Sequence, residues 1–264
     1  MSLTRQVVAV DNAVEEQIDN LPQSIVSFGQ NFEIDDVLPF HRHRRAQLVY
    51  ASLGIMMVKT RSSSYVVPPQ RAVWMPGGVE HSIEARSRVK MRTLYIDTSV
   101  GVDLPNEVCV LQITPLLREL IVEAVAAGID YEPDGPTSRI MSVILDQIRA
   151  QPIVSSLALP IPSDPRLLHI VEALIANPAD SRELEAWAKM VGASQRTLVR
   201  LFPKQTGMTF REWRQQRRLL HAVELLATGE SVTSIALELG YENTSAFSAM
   251  FRRRLGTTPS RYLS

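Results

Sequence analysis

The sequence predicts two domains of different class. The first is a small β-barrel or sandwich followed by two helices, an α+β unit. The second is an all-α domain built on a tandem helix–turn–helix. Three observations predict this. Residues 25–113 are rich in Val, Ile, Tyr and Trp, in short runs broken by Pro, Gly and Ser, the spacing of short strands. Residues 152–165 hold Pro152, Pro160, Pro162 and Pro165, a linker composition. From Arg166 onward apolar residues recur three and four apart, which is helical spacing. A length of 264 residues suffices for two separate cores.

Taken in order, residues 1–24 are polar and aperiodic and read as a loose lead-in. Strands are expected at 48–51, 55–59, 65–67, 72–75 and 92–96. Two amphipathic helices follow, at 115–127 and 136–151. Leu116, Leu117, Leu120, Ile121 and Ala124 share one face of the first, and Ile140, Met141, Ile144, Leu145 and Ile148 share one face of the second. Each has a Pro near its start, where a missing N–H is harmless. The first domain therefore spans 25–151, the linker 152–165 with one short strand at 156–159, and the second domain 166–264. Within the second domain a helix at 169–176 leads in. A long helix at 210–228 ends at Gly229, and Ser231 suits the N-cap of the next helix.

Composition sets limits on function. The chain is 45% hydrophobic and 21% charged, as in ordinary soluble proteins. No apolar run approaches about 18 residues, so a cytoplasmic protein without a membrane partner is expected. The single Cys109 lies in an apolar stretch and reads as a small core residue rather than a reactive thiol. The net charge of zero hides an asymmetry. From Asp164 onward there are 14 Arg/Lys and 10 Asp/Glu, giving +4; the preceding part has 14 and 18, giving −4. The C-terminal half is the one suited to phosphate backbones.

The helical half repeats itself. Leu184, Trp187, Ala188, Val191 and Gly192 recur 48 residues on as Val232, Ile235, Ala236, Leu239 and Gly240. Leu198, Leu201, Phe202, Gly207 and Trp213 recur 49 residues on as Phe247, Met250, Phe251, Gly256 and Tyr262. A short helix, a turn at Gly and a second helix make a helix–turn–helix, here at 184–204 and 232–254. The second helix of such a unit enters the major groove of double-stranded DNA. Ala188 and Ala236 are small enough for close helix crossing. Gly192 and Gly240 suit a positive φ at the helix end. The outward residues of the first reading helix, 194–204, are Gln195, Arg196, Val199 and Arg200. Those of the second, 243–254, are Thr244, Ser245, Ala246, Ser248 and Ala249. Arg pairs bidentately with guanine and Gln with adenine, so the first copy carries most of the discrimination. Lys204, Arg252, Arg253 and Arg254 are expected to contact phosphates, while Arg211, Arg214, Arg217 and Arg218 are open to either role.

Residues from about 166 to 264 resemble the DNA-binding domain of the AraC/XylS family of transcription regulators. The run from Ile235 through Gly240, Phe247, Phe251, Gly256 and Pro259 to Tyr262 carries the family pattern. The resemblance implies sequence-specific binding to promoter DNA, an effector-binding N-terminal domain, and a homodimer paired through the helices at 115–127 and 136–151; the other reading of those helices is packing against the barrel of their own chain. It implies contact with RNA polymerase if the protein is an activator, and base contacts at Arg196, Val199 and Arg200.

The strand-rich half contains Pro39-Phe40-His41-Arg42-His43, then Gln47 and Gly54, and later Pro76-Gly77-Gly78-Val79-Glu80-His81. These resemble the two motifs of a cupin barrel, H-x-H-x3-E-x6-G and P-x-G-x2-H. The resemblance implies metal ligands at His41, His43, Gln47 and His81. Three imidazoles and an oxygen suit a divalent transition metal such as zinc, nickel or iron. Gln47 departs from the usual Glu. Two readings stand: a metal site, or histidines that line a small-molecule pocket or brace the barrel. Tyr50, Met57 and Trp74 are candidates for an apolar pocket wall, or plain core. No catalytic residues are expected and the chain reads as a regulator rather than an enzyme. The alternative is a cupin metalloenzyme fused to a helical interaction domain, against which the double repeat argues.

Overall fold

The computed structural model describes residues 17–153 and 157–262. It divides between these two stretches into two compact units, with Arg61–Ser64 grouped with the second. The first unit contains β1 (Ile25–Phe32), β2 (Val37–His41), β3 (Ala46–Leu53), β4 (Met56–Thr60), β5 (Ser63–Val67), β6 (Arg71–Met75), β7 (His81–Ala85), β8 (Val89–Ile96) and β9 (Cys109–Gln112). Two helices follow, α1 (Pro115–Ala127) and α2 (Pro136–Arg149). One sheet runs β1-β8-β3-β6-β9, and the part of the other within this unit runs β5-β4-β7-β2. The pairings β1–β8, β3–β8, β3–β6, β6–β9, β4–β7 and β2–β7 are all antiparallel. The strands expected from composition coincide with β3, β4, β5, β6 and β8, with the expected start of the second one residue early, at Ile55. Four more, including Pro-containing β2 and Gly-containing β1, were not individually legible.

Alternation along β3 assigns its two faces. Ala46, Leu48 and Tyr50 join Ala72, Trp74, Leu94 and Ile96 under the apolar stripes of α1 and α2 (Leu117, Ile121, Ala124, Met141, Ile144, Leu145 and Ile148). Gln47 and Val49 point the other way. This corrects the expected pocket wall. Tyr50 and Trp74 lie on the helix-covered face, and the Trp74 indole donates to Pro105 O at 2.7 Å. Met57 pairs with Glu84, whereas Thr60 pairs with His81, so period-two alternation puts Met57 on the opposite face of its sheet from His81. None of the three shares a face with the histidines. Cys109 is buried in the same core, and burial pushes its thiol up to about 11.

The lead-in is not loose where it is described. Ile18 is 3% exposed and clusters with Val26 and Tyr95. Asp19 accepts from the amides of Arg44 at 2.8 Å and Arg45 at 3.2 Å. The buried Arg45 guanidinium donates back to Leu21 O at 2.5 Å and Gln23 O at 2.6 Å. Residues 1–16 lie outside the described residues.

The second unit holds β10 (Ala158–Pro160), α3 (Pro165–Ala176), α4 (Leu184–Met190), α5 (Gln195–Thr206), α6 (Phe210–Ala227), α7 (Val232–Glu238), α8 (Thr244–Leu255) and a closing 3₁₀ turn at Pro259–Arg261. Helix α3 starts four residues earlier than expected, because Asp164 caps it by accepting from Arg166 N. The two copies match in detail. Gly192 and Gly240 have φ of 64° and 73°. Beyond them Ala193 N donates to Ala188 O and Tyr241 N to Ala236 O, both at 2.9 Å, a six-to-one closure. Ser194 and Asn243 cap α5 and α8 with their side chains, and Gly207 and Gly256 end them in the left-handed region. Helix α6 opens with a capping box of Thr209 and Glu212. It is anchored by Trp213, whose indole donates to Pro160 O at 2.8 Å.

Candidate functional site

Three histidines meet between the two sheets of the first unit. His41 ends β2 and pairs in register with His81 at the start of β7. Their ring centroids are 4.3 Å apart. His43 lies just beyond β2, outside the strand, and its centroid is 5.3 Å from that of His81. A tight turn brings the loops together. Gly78 N donates to His43 O at 2.8 Å, and a Cβ on Gly77 would sit 2.1 Å from Arg44 O. Only glycine tolerates that approach at position 77, while Gly78 takes a φ of 81° in open space. One nitrogen from each of the three rings lies within 4.8 Å of the others.

The protonation of the rings follows from their partners. His41 Nδ1 faces Pro39 O at 2.7 Å, His43 Nδ1 faces Arg45 O at 2.6 Å, and His81 Nδ1 faces Val79 O at 3.0 Å. Carbonyls only accept, so each Nδ1 carries a proton. In the neutral rings Nε2 then bears a lone pair. Yet His43 Nε2 and His81 Nε2 lie 3.1 and 3.0 Å from Gln47 Oε1, itself an acceptor. The amide cannot simply be reversed. Gln47 Nε2 donates to Thr93 Oγ1 at 2.9 Å, whose own proton goes to Leu48 O at 3.0 Å. An imidazolium could donate to the amide oxygen, but burial holds His43 below 6.5 and pushes His81 down to about 3. At neutral pH the Nε2 lone pairs of His43 and His81 therefore converge on the Gln47 oxygen with no proton between them.

The donor set fits a divalent transition metal. Its rings are held through Nδ1 by backbone carbonyls, as metal-binding imidazoles commonly are. No carboxylate joins the cluster among the described residues. Glu84 is instead buried beside Lys59 at 2.6 Å and Arg86 at 2.9 Å, and its register with Met57 places it on the other face. The sequence motifs brought His41, His43, Gln47 and His81 to notice. Thr93 escaped, because no local pattern ties it to a residue 46 positions away.

In the second unit, Arg196, Val199 and Arg200 line one open groove with Ser194 and Thr197. Val199 is 56% exposed. Gln195, Arg196, Arg200 and Lys204 are exposed, and none enters a side-chain hydrogen bond or ion pair among the described residues. On α8, Ser245 and Ala249 are exposed while Thr244 and Ser248 are half-buried. Arg252, Arg253 and Arg254 are exposed in its last turn. The cations of α6 divide differently. Arg214 donates to Arg182 O, Arg217 to Ile175 O and Arg218 to Pro178 O. These three brace the fold, leaving Arg211 exposed.

No helix among the described residues is long and apolar enough to cross a membrane. Comparison with known proteins agrees with this two-part organisation. The AraC-like ligand binding domain family matches residues 30–141, and a helix-turn-helix domain family matches residues 187–264. The HTH-type transcriptional regulator NimR of Escherichia coli (strain K12) is 38% identical over 226 residues, covering 86% of this chain and 82% of NimR. RipA of Corynebacterium glutamicum, another HTH-type transcriptional regulator, is 40% identical over 103 residues, covering 39% of this chain and 31% of RipA. The HTH-type transcriptional activator RhaR of Klebsiella pneumoniae is 34% identical over 94 residues, covering 35% of this chain and 34% of RhaR. A ligand-binding sheet domain thus precedes a DNA-binding helical domain, in a regulator rather than an enzyme. The chain belongs to the AraC family of transcription regulators.

Proposed function

We propose that this regulator takes a divalent transition metal as its effector, held by His41, His43, His81 and the amide oxygen of Gln47. The observation that carries the reading is the convergence of acceptors. Two neutral Nε2 atoms stand about a hydrogen-bond length from an oxygen that cannot donate. Buried acceptors without donors are costly, and a bound divalent ion supplies the positive charge that all of them can face. The protein holds the rings by their Nδ1 protons and the amide by Thr93, so the ligands are oriented before the ion arrives. The amide oxygen of Gln47 is a weaker ligand than the carboxylate usual at that position, so the affinity is lower than a Glu would give.

The same reading assigns the DNA work. Helix α5 discriminates bases through Arg196 and Arg200, with Gln195 and Val199 beside them. Helix α8 contributes shape contacts through Thr244, Ser245, Ser248 and Ala249. Lys204 and Arg252–Arg254 hold phosphates. Two copies pair through the outer faces of α1 and α2, supported by Leu116 and Val143, which are 56% and 44% exposed. An activating role would add RNA polymerase as a partner.

Elemental analysis of tag-free protein, purified without chelator and after reloading with zinc, nickel or iron(II), tests the metal. About one ion per chain is expected, with a change in promoter affinity on loading. A stoichiometry near zero after reloading removes the metal from the function and leaves the DNA-binding assignment standing.

A further inference from the structure

We infer that Thr93 is the positioning residue that makes Gln47 an oxygen donor toward the histidine cluster. The inference rests on the metal reading above. Thr93 sits on β8 and is 0% exposed. Its hydroxyl has one proton, and Leu48 O receives it at 3.0 Å. The hydroxyl oxygen is then available only as an acceptor, and the atom that approaches it at 2.9 Å must be the Gln47 amide nitrogen. Oε1 is consequently turned toward His43 and His81.

The alternative orientation is chemically attractive. A side-chain amide has two ends of nearly equal size and opposite polarity. Reversed, Gln47 would present its NH₂ to the rings, and its two protons would satisfy both Nε2 lone pairs. The cluster would then be a closed hydrogen-bond network with no place for a cation. Thr93 opposes this reversal. A reversed amide would set its oxygen against a hydroxyl oxygen whose proton is already given away. Turning the hydroxyl to meet it would abandon the Leu48 carbonyl. Thr93 thereby keeps the site open to a metal, at the level of one amide rotation. Family pattern and spacing point to the ligands, but the choice between metal site and closed network lies in this hydroxyl.

A carboxylate has no wrong end, and that supplies the test. Cobalt(II) affinity of tag-free, full-length protein is measured by chelator competition, with the visible spectrum of the bound ion as a second readout. Thr93→Val keeps the shape and deletes the hydroxyl. It is expected to weaken cobalt binding about 10–100-fold, the range for residues that orient metal ligands. Thr93→Ser is expected to restore it. In the Gln47→Glu background the same Thr93→Val change is expected to have little effect, since either carboxylate oxygen can face the rings. Thr93→Ala serves if the valine variant does not fold, and melting of the metal-free variants checks integrity. Wild-type affinity in Thr93→Val, or an equal loss in both backgrounds, overturns the role of Thr93. Wild-type protein that takes up no cobalt removes the metal reading itself, and the role with it.

Discussion

Replacing Asp19 by Ala tests whether the lead-in is part of the folded first unit. The Asp19 carboxylate accepts from the Arg44 and Arg45 amides and lies 3.6 Å from Arg44 Nε. The ion pair contributes little, because the Arg44 side chain is 73% exposed and such pairs are worth at most about 1 kcal/mol. The Arg44 amide is also exposed, so water replaces the carboxylate there. The Arg45 amide bond is only partly exposed, and a hydrogen bond to a charged group contributes about 1.5–3 kcal/mol. The sum is about 2–3 kcal/mol for Asp19→Ala. Asp19→Asn, which keeps one acceptor without the charge, should lose about half of that. In a unit of this size each kcal/mol lowers the midpoint by about 2–4 °C. Calorimetry should therefore show the first unit melting about 4–12 °C lower, with the second unit as internal control. Because the Arg45 carbonyl orients His43, cobalt affinity should fall as well. A loss below about 0.5 kcal/mol, within the range of an ordinary surface change, would refute the latch.

Three further outcomes are expected. Arg200→Ala should weaken specific binding by about 1–3 kcal/mol and relax one base position, whereas Ser245→Ala should do neither; anisotropy titration on single-base operator variants decides, and a larger specificity change for Ser245→Ala reverses the ranking of α5 over α8. Neutralising Arg252, Arg253 or Arg254 should lower the slope of log affinity against log salt by about 0.9 per lost phosphate contact; an unchanged slope removes that residue from the backbone contacts. In metal-free protein the buried His81 and His43 rings stay neutral when folded but take protons below about 6.5 when unfolded. Their stabilisation is complete above that pH and declines as the pH falls toward about 3, by up to about 1.4 kcal/mol per pH unit for each ring. A urea midpoint that stays flat between pH 7 and 5 contradicts this.

The helical half was legible because its signals are local. Period, cap and turn glycine sit within one motif, and the second copy repeats the first. The histidine cluster and Gln47 were legible for the same reason, as short motifs on neighbouring segments. Face assignment was not, because both faces of β3 are apolar or buried: Tyr50 and Gln47 are three residues apart, and burial does not say which side faces which layer. The Asp19 latch and the Thr93 hydroxyl were invisible because their partners lie 25 and 46 residues away.

Helix α6 joins the two copies without interruption over 18 residues, a rod of about 27 Å at 1.5 Å per residue. Successive major-groove faces on one side of B-DNA are about 34 Å apart. The rod therefore acts as a ruler between the two copies, fixing both their separation and their rotational phase. One inserted residue lengthens it by about 1.5 Å and turns the second copy by about 100°, which re-aims the whole of α8 at once. Outward side chains can be exchanged one by one, so the letters being read are free to drift. The spacing between the two words is set by the length of a single helix, and no substitution in either copy can restore it.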